Sequence, residues 1–98
     1  MLRDVDITDF LLWEKEGGFS GYAKYFGLKE YRCIIKKSKD SYTVLILVDG
    51  KWQPVGKYYP YSKPIKIRGN KLYDCVGEIW TPDYTYHLLK DGNRYIGL

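Results

Sequence analysis

One histidine and two cysteines are the chain's whole complement of imidazole and thiol groups. A nucleophile–base pair would need the thiol of Cys33 or Cys75 within hydrogen-bond reach of His87, with a third group to orient the ring. Nothing in their spacing supports this. His87 sits in "YTYHLL", which reads as a packed or partly exposed strand position. No CxxC pair or Cys/His cluster marks a structural zinc site. "GYAKYFG" lacks the Lys-Ser/Thr ending and the preceding strand of a phosphate loop. The acids Asp4, Asp6, Asp9, Glu14 and Glu16 read as a solvated helix start. The expectation is no enzyme, no cofactor and no metal.

A second set of residues has a different chemistry. "GKYYPYSKPIKIRGNK", from Gly56 to Lys71, carries five cations and three tyrosines and no acid. Residues 50–73 hold six cations and no acid, while residues 1–18 and 74–98 are both net negative. Cations neutralise phosphates and aromatic faces stack on bases, so this pattern suits a polyanion. The candidate binding set is Trp52, Lys57, Tyr58, Tyr59, Tyr61, Lys63, Lys66, Arg68 and Lys71. Arg32 and Lys36, two positions on one strand face, extend it. The stacking faces favour single strands over duplex, and little base specificity is expected because no side-chain set reads as a groove code. The function expected is low-specificity, non-enzymatic nucleic-acid binding, DNA or RNA. The alternative is a protein-interaction or inhibitor module with no nucleic-acid role, since Tyr and Trp anchor protein interfaces. In that reading an open sheet edge at Pro54 gives a homodimer by strand pairing. The same residues also have a purely structural reading: tyrosine fills half-buried sheet positions and lysine blunts sheet edges.

The elements that must position these residues follow from periodicity. Asp6 is placed to cap a helix, with Ile7, Phe10, Leu11 and Glu14 at helical spacing and Gly17-Gly18 as its stop. Ser20 is placed to cap a second short helix over Gly21 to Leu28. From Tyr31 the period changes to strands. Tyr31–Lys37, Tyr42–Val48, Lys51–Tyr59, Ile65–Arg68, Leu72–Trp80, Tyr84–Leu89 and Arg94–Leu98 are separated by turn signals, of which Asp49-Gly50 is the strongest. Pro54 marks an edge or a bulge, "PYSKP" a break, and Gly77 a bend. The fold expected is therefore α+β: one or two short N-terminal helices, then a mostly antiparallel meander of about six short strands that curls around a helix or closes into a small barrel.

Length and composition bound the rest. The 98 residues make one domain, residues 1–98, large enough to bury a core without disulfides. The net charge of +4 makes a basic protein. The longest apolar run, Val44 to Val48, is far too short to cross a bilayer. "MLRDVDITDF" has acids where an export signal needs a basic start, so the reading is a soluble, cytoplasmic protein with no membrane partner. One Gln, two Asn, one Met and twelve Lys lean toward a thermophilic source. A bridge between Cys33 and Cys75 depends on that source and stays open; two buried free thiols are the simpler reading.

Overall fold

The computed structural model describes residues 9–25, 29–67, 69 and 71–98. They form eight strands: β1 (Phe10–Lys15), β2 (Gly18–Tyr25), β3 (Lys29–Ser38), β4 (Ser41–Val48), β5 (Lys51–Ile67), β6 (Lys71–Trp80), β7 (Thr85–Asp91) and β8 (Arg94–Gly97). Each strand pairs antiparallel with the next. The last pairs with the first, through Phe10↔Gly97, Leu11↔Ile96 and Leu12↔Tyr95, so the sheet closes into an up-and-down barrel. The expectation of an α+β fold is overturned: the protein is all-β, with no helix among the described residues. The described residues likewise contain no helix long and apolar enough to cross a membrane.

The physical reason lies in residues 10–15. Phe10, Leu11 and Leu12 fit a helical stripe, but a short apolar run fits a strand equally well. As a strand, Phe10 and Leu12 enter the barrel while Leu11 faces out, and both edges of the segment gain partners. A helix would bury one face and leave β2 and β8 with open edges. Gly17 therefore does not stop a helix. It turns the β1–β2 hairpin at φ +81°, and residues 21–25 of the segment read as a second helix form the end of β2 instead. Asp6 and Ile7, part of the expected helix start, lie outside the described residues, as do Phe26 to Leu28.

From Tyr31 on, the pattern reading meets the structure closely. Asp49 and Gly50 take φ of 51° and 77°, as a type I′ hairpin turn requires. Pro54 sits at a register shift opposite Val44/Leu45. That shift is a bulge in the segment that pairs with β4; pairing of β5 with β6 begins only at Lys57. "PYSKP" does not break the chain; β5 runs through it with a shift between Pro60 and Lys63. Gly77 marks a third register shift, where φ is +150° and a Cβ would stand 2.4 Å from the Tyr59 carbonyl oxygen. Only glycine lets β5 and β6 approach so closely there.

Side chains from every strand fill the barrel, among them Leu12, Ile35, Val44, Ile46, Ile79 and Leu88. Phe19 packs edge-on against Tyr58 and Tyr95, with centroids 5.6 and 4.9 Å away. A smaller cluster lies outside. Leu11, Ile96, Leu89 and Cys75 follow one another in register across β1, β8, β7 and β6, and they pack with Tyr73, Ile65 and Leu98. Both cysteines are free, Cys33 within the interior cluster and Cys75 in the outer one. Beyond Tyr58, β5 pairs with β6 alone, and its end, Ile65–Ile67, forms a two-stranded ribbon with Lys71–Tyr73 of β6.

Candidate nucleic-acid interface

The alternation of each strand decides which basic and aromatic side chains reach solvent. In β5, Tyr58 points inward, is only 5% exposed, and donates its hydroxyl to the Val76 carbonyl at 2.6 Å. Burial raises its pKa well above the ordinary tyrosine range. Its neighbours Lys57 and Tyr59 face out. Register then builds a row across four strands: Lys36 of β3 opposite Thr43 of β4, Thr43 opposite Lys57 of β5, and Lys57 opposite Trp80 of β6. Such partners lie about 5 Å apart at Cβ. Lys57 Nζ donates to Thr43 Oγ1 at 3.2 Å, which holds the ammonium on the face.

Beside this row stands an aromatic pair. Tyr59 and Trp80 are 47% and 53% exposed, with ring centroids 5.0 Å apart and planes at 60°. Glu78, opposite Tyr59, clamps the surroundings: Trp80 Nε1 donates to Oε1 and Tyr61 OH to Oε2, both at 2.8 Å. These bonds, the Trp80 one foremost, hold the Glu78 carboxyl below its usual range. Desolvation, together with the bond to Glu78, raises the Tyr61 hydroxyl well above its own. At the barrel rim, a cleft of about 360 Å³ opens between the β3–β4 turn and β5. Lys37, Lys39 and Lys57 line it, with Tyr42 and Tyr59, and Asp40 is its one acid. Lys39 turns the chain there at φ 55°, a conformation that costs a non-glycine residue.

The eleven residues named from sequence therefore separate. Lys36, Lys57 and Tyr59 come together on the outer face, and Tyr61 adjoins them. Arg32 lies on the same face of β3, opposite Tyr22. Trp52 is exposed next to the Asp49–Gly50 turn, opposite Leu47 and away from this cluster. Lys66 and Lys71 belong to the ribbon, Lys66 opposite Leu72 and Lys71 Nζ 5.0 Å from the Tyr73 ring centroid, while Lys63 lies before it, opposite Cys75. Tyr58 is inside and has no face to offer a base. Arg68 lies outside the described residues.

Sequence reasoning missed Trp80, Thr43, Glu78, Lys37 and Lys39. Glu78 and Trp80 are two apart in a strand and must share a face, which was legible. Their position opposite Tyr59 and Lys57 was not, because it depends on how the β5–β6 bulges shift the register. The structure also brings Cys75 Sγ to 3.9 Å from His87 Nδ1, a meeting the spacing gave no reason to expect. Cys75 is fully buried and offers no open side to a substrate-sized electrophile. Cys33 is buried inside the barrel, and burial pushes its thiol up to about 12. Comparison with protein-family models, with curated proteins and with solved structures finds no match to this chain.

Proposed function

We propose that this protein binds single-stranded nucleic acid, without chemistry, on the outer face of β3 to β6. The observation that carries the reading is the exposed Tyr59–Trp80 pair bordered by the Lys36–Thr43–Lys57 row. Two adjacent rings offer stacking faces to successive bases, and each stacked base contributes about 1–3 kcal/mol. Lys36 and Lys57 meet the phosphates that pass beside the rings. The rim cleft, with Lys37 and Lys39, continues the positive track. Little base specificity is expected, since stacking and phosphate contacts carry none. Neither thiol is placed to attack a substrate, which supports a binding role rather than a catalytic one.

Fluorescence anisotropy with labelled single- and double-stranded oligonucleotides at two salt concentrations tests the proposal. Binding should favour the single strand and weaken with salt at a slope near −0.7 per phosphate contacted. A protein partner is the second reading, favoured by Glu78, an ionised carboxylate in the middle of the aromatic patch that a polyanion must avoid. No binding to either oligonucleotide at low salt would discard the first reading and promote the second.

A further inference from the structure

The outer face of β5, β6 and β7 carries a triangle of donor atoms, one from each strand. Cys75 Sγ lies 3.9 Å from His87 Nδ1 and 3.7 Å from Tyr61 OH, and Tyr61 OH lies 3.5 Å from His87 Nδ1. A triangle with those sides has a circumradius, the product of its sides over four times its area, of about 2.1 Å. Zinc takes nitrogen and oxygen ligands at roughly 2.0–2.2 Å and thiolate at about 2.3 Å. One ion between the three atoms would reach all of them with shifts of a few tenths of an ångström.

We propose that Cys75, His87 and Tyr61 form a zinc(II) site on the outer wall of the barrel. The donors are already oriented. Cys75 follows the strand into the bulge before Gly77, and its S–H faces the Gly77 carbonyl at 3.4 Å and the Tyr61 oxygen. His87 is pinned by paired backbone bonds with Leu98, at 2.9 and 3.0 Å. Tyr61 directs its own proton to Glu78. The lone pair that now receives the Cys75 S–H is therefore the one a cation would take. On binding, the thiol proton leaves to solvent and the metal occupies its place. One thiolate and the neighbouring Glu78 carboxylate then balance the two charges of the ion. A sulfur, nitrogen and phenol-oxygen set selects a borderline metal over magnesium or calcium. Three protein ligands leave the fourth tetrahedral position open on the exposed side of His87 and Tyr61, as in sites that keep a water. Among the described residues no three His, Cys, Asp or Glu side chains converge on a metal position. The third donor here is a tyrosine, which neither Cys/His spacing nor acid counting reveals.

Calorimetric titration of the metal-free protein with Zn²⁺, paired with the absorption spectrum after Co²⁺ addition, tests the site. One ion per chain and a thiolate-to-cobalt charge-transfer band are expected. His87→Gln, at an exposed position that does not endanger folding, should weaken binding about tenfold or more, and Glu78→Gln should weaken it by roughly 10–100-fold. Cys75→Ala should remove the charge-transfer band, and Cys33→Ala should keep it. Absence of binding, or binding that His87→Gln leaves unchanged, would overturn the site. A charge-transfer band that survives Cys75→Ala would overturn it equally. None of these readouts involves nucleic acid.

Discussion

Tyr58 and Tyr59 are consecutive residues on opposite sides of one barrel wall. Tyr58 stands inside among Phe19, Tyr42 and Tyr95, its hydroxyl spent on a backbone carbonyl and its pKa raised by burial. Tyr59 stands outside against Trp80, with Lys57 two residues back on the same face. The two share a residue type, and only the strand period separates them. Inside, shape and satisfied polar groups count, and substitutions should act on stability. Outside, exposed ring area and charge count, and substitutions should act on binding.

Breaking the interior should give the largest effect. Leu88→Ala removes a fully buried side chain from the barrel and should cost about 2–5 kcal/mol of stability. Urea denaturation would show it as a lower midpoint with little change in slope. Outside, Tyr59→Ala should cost about 1–3 kcal/mol of single-strand affinity by anisotropy and leave the salt dependence unchanged. Thermal unfolding of that variant should match the parent. Tyr58→Phe sharpens the comparison, because it leaves the Val76 carbonyl without its donor. About 1 kcal/mol of stability should be lost, with affinity untouched.

The smallest effect concerns acid. Glu78 has a folded pKa below its ordinary value, so its contribution is present above the ordinary glutamate pKa and is lost as pH falls through the lowered one. Trp80 would then lose its acceptor. Tryptophan fluorescence should change in that acid window, and Glu78→Gln should abolish the change.

Strands β3, β4 and β6 to β8 were legible because turn dipeptides and period-two alternation agree there, whereas the prolines of "PYSKP" made one strand, β5, read as two. The first two strands were not. Phe10-Leu11-Leu12 is compatible with either period, and the decision belongs to β8, more than eighty residues away, which needs a partner. For the outer face, the lysine and tyrosine content of Gly56–Lys71 was the visible signal. Its division into Lys57 and Tyr59 outside, Tyr58 inside and Lys66 on the ribbon depends on alternation and on two bulges. The bulge beside Gly77 has a cue in the glycine; the one at Tyr61-Ser62 has none. The Lys36–Thr43–Lys57–Trp80 row is a product of register across four strands, which no local pattern specifies.

The central claim is that the β3–β6 face, and not the ribbon, carries the binding. Anisotropy across a salt series on the parent, a Lys36→Ala/Lys57→Ala variant and a Lys66→Ala/Lys71→Ala variant tests it directly. The face variant should bind more weakly and show a slope shallower by about 1.4, the loss of two phosphate contacts. The ribbon variant should keep the parent slope. A parent that binds no oligonucleotide at low salt, or a loss carried by the ribbon variant alone, would contradict the account.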